Sequence, residues 1–340
     1  MFPDLEKPVL KKVLFLIKKI NMEDPEISAA INETVRYIES CGIDSEARAI
    51  ADSEGAEAGA VGAGTEAPGT AGNLITGNSA DAPGEDTLVL TDDGGAAAAL
   101  LAKGAYVVGV SHKFNEHEDF TGLKYVFTDI QEVDIDSFIK AYQRYAGLPW
   151  GVIRTERLLI RETTLDDVDR FYELYRDPEM TKYMEGLFEN PEDEKRYQKD
   201  YIEKVYGLMG FGIWTIVRLE DGVIIGRAGY SVRNGFEDIE LGFLIGKEYQ
   251  GQGYAYEACD AILQYGKEIL LFEKVQCLVK EENEASINLC KKLGFTEFDT
   301  VEVEENIYGE EYNTVKTGGA KVPDAVKGKY VRLMKIININ

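Results

Sequence analysis

The stretch LIGKEYQGQGYAYEACDAI, residues 244–262, joins a strand-like apolar run to a helix-like pattern. Gly251 and Gly253 lie at the junction, with no lysine between them. The first N–H groups of a helix are unpaired and partly positive, so such a junction can bind a phosphate without a basic side chain. Glycines let the backbone approach phosphate oxygens closely. The stretch lacks the GK[ST] ending of a Walker A loop and the GxGxxG dinucleotide pattern. Alone, it predicts either an anion-binding turn or a tight helix-packing turn.

The chain of 340 residues is long enough for two domains, each with its own core. Residues 49–86 consist largely of Ala, Gly, Ser, Thr and acidic residues and contain no Lys or Arg, which predicts a flexible insertion or, alternatively, an ordered one. Gly147 and Pro149 interrupt a helical pattern before a new strand. We therefore predict an N-terminal domain over residues 1–148 and a C-terminal domain over residues 152–340.

Composition excludes several classes of function. The formal net charge of -24 argues against nucleic-acid and membrane partners, because both require clustered Lys and Arg. The four cysteines and two histidines show neither zinc-ligand nor disulfide spacing, so no metal is predicted. The apolar run VLFLI, residues 13–17, is too short for a signal peptide or a membrane span. These features predict a reduced, cytoplasmic protein.

The N-terminal half alternates strand and helix patterns. Strands are predicted over Thr87–Thr91 and Tyr106–Val110, with a turn at residues 92–95 and a helix over Ala96–Lys103 between them. A short strand and an amphipathic helix, residues 134–147, follow. This alternation predicts a small, Rossmann-like parallel α/β domain.

The C-terminal half begins differently. Thr164 is a predicted helix N-cap, Pro191 suits a first helical turn, and Asp221-Gly222 predicts a two-residue hairpin. An antiparallel meander then leads into strand, helix, strand and helix, with strands at residues 238–246 and 274–280. We predict an α/β fold with a mixed sheet flanked by helices.

Two motifs in the right order connect this half to a known family. The loop YQGQGYA fits the acetyl-CoA signature (Arg or Gln)-x-x-Gly-x-(Gly or Ala) through Gln250, Gly253 and Ala255. About thirty residues later, NEASINLCKKLGF contains Asn-x-x-Ser followed by Lys-Leu-Gly-Phe. From about Arg154 onward the chain resembles the Gcn5-related N-acetyltransferases (GNAT), and its opening residues, 153–184, look like the Rim-type subgroup that acetylates ribosomal proteins.

The resemblance implies acetyl-CoA as co-substrate, with its pantetheine arm in a V-shaped opening between the strands at residues 238–246 and 274–280. The strand edge at Leu244 and Ile245 would bond this arm and supply one N–H to the developing oxyanion. Asn283 and Ser286 would meet the cofactor from the other side or, alternatively, form a helix cap. The pyrophosphate would be held by the backbone amides of Gln250, Gly251, Gln252, Gly253, Tyr254 and Ala255.

Two catalytic candidates follow from the same resemblance. Transfer requires a neutral amine, so a base must take its proton, and Glu240 occupies a position where family members often carry that base. A solvent-facing strand residue is the alternative for Glu240. Many family members have a tyrosine acid where this chain has Cys290, which either donates a proton or is a core residue.

The candidate acceptors are all primary amines: a protein N-terminus, a polyamine, an amino acid and an aminoglycoside. Asp177, Glu179 and Glu185 would suit a cationic acceptor, but such acidic residues are more commonly plain surface charges. A homodimer is possible. A non-catalytic acyl-CoA sensor is the alternative function, because the tyrosine is missing and a second domain is attached.

The stretch TDDGGAAAALLAKGAYVVGV, residues 91–110, resembles a late motif of haloacid-dehalogenase-type phosphatases. Asp92 and Gly104 keep the family spacing, whereas Lys103 departs from it. The candidate first strand, residues 13–17, is not followed by the Asp-x-Asp-x-Thr motif that supplies the nucleophile. The resemblance therefore implies a degenerate domain with a binding, regulatory or packing role.

Overall fold

The structure, a computed structural model, describes residues 9–51, 83–184, 186–305 and 326–338. The chain divides into two compact units, one spanning Pro3–Leu148 and the other Pro149–Asn340.

The N-terminal unit contains a five-stranded parallel sheet, as the alternating sequence pattern predicts. The strand order is β2-β1-β3-β4-β5. The strands are β1 (Lys12–Lys18), β2 (Asp44–Ile50), β3 (Thr87–Thr91), β4 (Tyr106–Val110) and β5 (Val126–Phe127). The helices are α1 (Lys19–Met22), α2 (Pro25–Ser40), α3 (Gly94–Ala102) and α4 (Ile135–Tyr145). Every residue of β3 is buried, which explains why its sequence is an uninterrupted apolar run with a threonine at each end.

Two sequence predictions for this unit need correction. Helix α3 begins at Gly94, not Ala96, because the Asp93 carboxylate caps it by accepting from the Ala96 N–H at 2.7 Å. The predicted insertion is also shorter than residues 49–86. Its first two residues lie in β2, and the Asp86 carbonyl accepts hydrogen bonds from the N–H groups of Lys11 and Lys12. Residues 52–82 lie outside the described part of the chain.

The C-terminal unit contains an eight-stranded mixed sheet with the order β12-β13-β11-β10-β9-β8-β7-β6. Neighbouring strands are antiparallel except β10 and β11, which are parallel, so the predicted mixed sheet is confirmed. The strands are β6 (Gly151–Arg154), β7 (Leu158–Arg161), β8 (Ile213–Arg218), β9 (Ile224–Ser231), β10 (Ile239–Ile245), β11 (Lys274–Lys280), β12 (Thr296–Glu305) and β13 (Val326–Ile336).

Helices flank this sheet, and their predicted start signals are confirmed. Thr164 forms a capping box with Asp167, and Asn190 caps the helix that Pro191 opens. The helices are α5 (Val168–Leu174), α6 (Pro191–Asp200), α7 (Gly207–Met209), α8 (Tyr254–Glu268) and α9 (Glu284–Lys292), with a π-helical segment (Tyr201–Tyr206) after α6. In the described ranges, no helix has the length and apolar character that crossing a membrane requires.

The hairpin between β8 and β9 is wider than predicted. Asp221 and Gly222 lie within a five-residue connection, residues 219–223. The Asp221 carboxylate binds the Arg218 guanidinium and the Val223 N–H, and Gly222 has a φ of 71°. These side-chain contacts stabilise a longer loop, so the two-residue turn is wrong.

Helix α8 packs firmly on the sheet. Ala258, Cys259 and Ile262 are fully buried in the core that they share with the sheet. The Tyr230 hydroxyl donates to the Ile262 carbonyl at 2.8 Å. A Cβ added at Gly266 would lie 2.2 Å from the same hydroxyl, so only glycine permits this approach. The packing fixes the start of α8 relative to the end of β10.

Candidate functional site

The opening predicted between the parallel strands β10 and β11 is present. The strands pair only through Ile239 with Val275 and Glu240 with Gln276, and then diverge. Residues 241–245 and 277–280 line a cavity of about 1000 Å³. The facing edges of the diverging segments leave backbone donors and acceptors without a strand partner, so an extended ligand can bond to them.

The glycine-rich loop closes one end of this cavity. Gly251 and Gly253 have φ angles of 73° and 85°, in the left-handed region that favours glycine. Helix α8 starts at Tyr254 without a side-chain cap. Within the described ranges, the N–H groups of residues 251–256 have no hydrogen-bond acceptor. A cluster of unpaired N–H groups at a helix start suits a phosphate group, so the residues present fit the pyrophosphate of acetyl-CoA.

Arg157 anchors this loop, a role that was not predicted from the sequence. Its guanidinium donates to the Gln252 carbonyl at 3.1 Å and stacks over the Tyr254 ring at 4.4 Å. It also pairs with Glu257 at 2.6 Å. Burial opposes ionisation of Glu257, but the Thr155 hydroxyl and Arg157 outweigh it and hold the pKa of that carboxyl below its ordinary value. Glu257, in the first turn of α8, was the signal that the sequence contained, but nothing in the sequence identified Arg157 as its partner.

The two glutamines of the loop use their side chains to brace it. The Gln250 amide donates to the Ile245 carbonyl at 2.9 Å, and the Gln252 amide donates to the Glu248 carbonyl at 3.0 Å. Gln250 lines the cavity, together with Gly251, Gly253, Tyr254 and Ala255. The side chains therefore shape the loop, while the N–H groups of residues 251–256 remain free for a ligand.

Asn283 and Ser286 also line the cavity. The Asn283 side chain caps α9 by accepting from the Ser286 N–H at 3.2 Å. The capping alternative is therefore confirmed for Asn283. Its amide nitrogen is not used by the cap, so the residue can still face a ligand.

Glu240 lies in the cavity wall, and its solvent-facing alternative is wrong. Its side chain is 8% exposed, and its carboxylate pairs with the Arg233 guanidinium at 2.5 Å. Burial raises the pKa of Glu240 above its ordinary value, although the charge and hydrogen bond of Arg233 act in the opposite direction. A raised pKa brings a carboxylate closer to the range in which a general base works best.

Cys290 is fully buried in the protein core and does not line the cavity. Leu289 and Lys292, three residues apart on α9, do line it. Because each helical residue turns by about 100°, Cys290 faces the sheet, where its thiol contacts that of Cys277. The core alternative describes its position, and the structure does not bring Cys290 to the cavity.

The acidic residues proposed for a cationic acceptor do not act as one group. Asp177 pairs with Lys247 at 2.6 Å, whereas Glu179 is exposed and lines the cavity. Glu185 lies outside the described residues.

In the N-terminal unit, Asp92 is fully buried at the end of β3. Its carboxylate accepts from the Lys18 N–H at 2.8 Å and from the Asn21 amide at 2.6 Å. The Lys18 ammonium pairs with Asp93 at 3.4 Å and with Glu118. Among residues 9–51, 83–184, 186–305 and 326–338, no three His, Cys, Asp or Glu side chains are grouped so that they can hold a metal ion.

Comparison with known proteins matches the C-terminal unit. The family model described as "Acetyltransferase (GNAT) domain" matches residues 157–296. The chain is 31% identical over 147 residues to "Uncharacterized N-acetyltransferase p20" of Bacillus licheniformis, which covers 42% of this chain and 80% of that protein. It is 34% identical over 143 residues to "Uncharacterized N-acetyltransferase YnaD" of Bacillus subtilis, covering 42% and 81%. A shorter match, 34% over 77 residues, relates 23% of the chain to 41% of a spermidine N(1)-acetyltransferase of Escherichia coli.

Proposed function

Because the chain belongs to the GNAT acetyltransferase family, we propose that its C-terminal unit transfers an acetyl group from acetyl-CoA to a primary amine by direct attack in a ternary complex. The observation that carries this proposal is the divergence of β10 and β11, which ends at a loop with unpaired N–H groups. One end suits an extended, amide-rich arm, and the other suits a pyrophosphate.

In this proposal, the N–H groups of residues 251–255 hold the pyrophosphate, whereas the Gln250 N–H already donates to the Lys247 carbonyl at 3.3 Å. The free strand edge at Leu244 and Ile245 bonds the pantetheine arm, and Asn283 and Ser286 contact the cofactor from α9. One N–H group of the β10 edge faces the thioester oxygen and stabilises the negative charge that develops there. These roles are supported by the positions of the residues on the cavity wall, which all of them except Gln252 line.

The chemistry requires one proton acceptor. Glu240 takes a proton from the ammonium form of the acceptor, and the neutral amine nitrogen then attacks the thioester carbonyl carbon. The new C–N bond forms, the C–S bond breaks, and its electron pair leaves on sulfur, while the second proton that the attacking nitrogen loses passes to water. A thiolate of pKa about 8.5 is a tolerable leaving group, so water can protonate it and Cys290 needs no role.

The acceptor class is set by the helices and strands around the cavity. A polyamine is supported by the spermidine N(1)-acetyltransferase match, and a protein N-terminus by the sequence likeness of residues 153–184 to the Rim-type subgroup. An amino acid or an aminoglycoside would meet the same chemical requirement. We also propose a cytoplasmic location, since all four cysteines are free thiols, and homodimerisation stays a proposal.

The N-terminal unit is proposed to be a degenerate haloacid-dehalogenase-like domain without catalytic activity. One support is the parallel sheet. The other is Lys18, at the end of β1, where a catalytic site of that fold would need a nucleophile; its ammonium instead forms ion pairs with Asp93 and Glu118. A phosphatase assay with p-nitrophenyl phosphate and magnesium tests this, and turnover above background would contradict it.

Two measurements test the acetyltransferase proposal. Calorimetric titration with acetyl-CoA should show binding, and a thiol-release assay with a panel of amines should show turnover. Binding without turnover would favour the non-catalytic sensor. Gly253→Trp should abolish binding because it obstructs the loop at a φ of 85°. Gly42→Trp is the matched control, since Gly42 has the same φ in the N-terminal unit and open space around it.

A further inference from the structure

Arg227, on strand β9, lines the cavity without an acidic partner. Its guanidinium lies over the Phe171 ring at 4.4 Å. Its Nε is shielded from solvent and has no hydrogen-bond partner, and no carboxylate of the described chain lies within ion-pair distance. A partly buried cation without an anion is costly, so a ligand that brings the anion is the physical explanation that the position suggests.

The neighbouring Arg161 has a carboxylate partner of the kind that Arg227 lacks. Thr215 on β8 pairs with Arg161 on β7 and, on its other side, with Arg227. Arg161 donates two hydrogen bonds to the Asp167 carboxylate, each of 2.7 Å. Arg227, in the same row of the sheet, has no such carboxylate. The fold therefore neutralises one of the two guanidinium groups and leaves the other facing the cavity.

Glu194, an acidic residue in the cavity wall, is not an ion-pair partner of Arg227. Glu194 is buried, and its carboxylate accepts from the Phe188 N–H at 3.2 Å and from the Gln198 amide at 2.7 Å. Glu194 forms no ion pair with Arg227, but its negative charge is one of those that act against burial and raise the pKa of that guanidinium. The guanidinium keeps its donors for something that enters the cavity.

Arg227 and Glu240 bracket a gap on one face of the sheet. Leu244 lies opposite Arg227, Gly242 opposite Gly229, and Glu240 opposite Ser231, so the three rows share a face. The first and last rows are about 13 Å apart along β10, at about 3.3 Å per residue. The middle row consists of two glycines and contributes no side chain. The Ile213 side chain packs over this row, with its Cδ1 3.5 Å from where a Gly242 Cβ would lie. Arg227 and Glu240 nevertheless line the same cavity, so a ligand there can reach a cation and a carboxylate.

Resting on the acetyl transfer proposed above, we propose that the acceptor is an amine that also carries a carboxylate, as an amino acid does. Arg227 is then a specificity-determining residue that binds the carboxylate, while the amine faces Glu240. The planar guanidinium matches a carboxylate through two parallel hydrogen bonds. A polyamine carries only positive charge, so it would leave Arg227 unpaired and would be disfavoured.

The test uses the full-length protein, acetyl-CoA and thiol release. A panel of α-amino acids is assayed, each beside the amine that remains when its carboxylate is removed, such as lysine beside 1,5-diaminopentane. The carboxylate-bearing member of the preferred pair should have the higher kcat/KM, by about tenfold to a hundredfold. Arg227→Met should abolish this difference and leave the KM of acetyl-CoA unchanged, and Arg227→Lys should keep part of it. Arg154→Met, which removes an exposed arginine from β6, should preserve the difference.

The outcomes separate this inference from the acetyltransferase proposal. If amines without a carboxylate react equally well or better, or if Arg227→Met instead raises the KM of acetyl-CoA, the inference is wrong while the acetyltransferase stands. If no acceptor releases thiol, the acetyltransferase proposal fails. The same pairs are then titrated calorimetrically into the CoA-saturated protein. Binding that depends on both the carboxylate and Arg227 supports the inference, and its absence overturns it.

Discussion

Glu240→Gln should sharply reduce acetyl transfer without harming the fold. Glutamine keeps the volume of glutamate and can still accept a hydrogen bond from Arg233, so the buried position remains filled. It cannot take a proton from an amine at neutral pH. The variant should therefore bind acetyl-CoA as the parent does and differ in turnover alone.

The size of the loss follows from the burial of Glu240. General-base catalysis contributes about 10²- to 10⁴-fold. With 8% of the side chain exposed, bulk water has little access to replace the carboxylate, so we expect about 10³-fold in kcat. That loss corresponds to about 4 kcal/mol of transition-state stabilisation, at 1.36 kcal/mol for each factor of ten.

The pH dependence of kcat/KM tests whether Glu240 is the base. A base works when it is deprotonated, so kcat/KM of the parent should rise with pH through the pKa of Glu240, which lies above the ordinary value of 4.5. Glu240→Gln should lose this rise and keep the one that comes from the amine itself, near pH ~10. Arg233→Gln should move the rise to higher pH, because Arg233 lowers the pKa of Glu240. Near-full turnover of Glu240→Gln, or a shift to lower pH in Arg233→Gln, would refute the reasoning.

Three further predictions concern other residues. Cys290→Ala should leave kcat and its pH profile intact while lowering the free energy of unfolding by about 1 kcal/mol, seen in thermal melts, because it removes a buried group; a changed pH profile would restore an acid role. Lys18→Met should destabilise the N-terminal unit by about 3 kcal/mol, since Asp93 and Glu118 lose their counterion, with acetyl transfer unchanged. Arg157→Met should raise the KM of acetyl-CoA about tenfold by freeing the loop, and an unchanged KM would show that Arg157 is dispensable for it.

Local signals predicted the parts of the site that are continuous in the chain. The alternation of apolar residues predicted β10 and β11, and Gly251 and Gly253 are both in the left-handed region that their place before α8 requires. The helix starts at Thr164 and Pro191 were equally readable, because such start signals lie within the first few residues of the helix. Such features need no knowledge of the tertiary fold.

Features that depend on pairing between strands were not predictable in the same way. Alternation placed Glu240 on the opposite face from Leu241 but did not reveal whether that face was covered. The structure covers it and adds Arg233 from the loop after β9. The partners of Arg157 and the isolation of Arg227 likewise depend on residues far away in sequence, for which one sequence provides no pairing rule.

The position of Cys290 bears on which proton transfer the protein has to assist. With the thiol turned into the core, helix α9 brings to the cavity no cysteine or tyrosine acid at the position where the family often has one. Thiolate departure tolerates that loss because the leaving group is weakly basic, whereas attack by a protonated amine is impossible. Deprotonation of the amine thus becomes the step that the protein must assist. The buried pair of Glu240 and Arg233 can assist it, because burial raises the affinity of the carboxylate for a proton while the guanidinium keeps it ionisable.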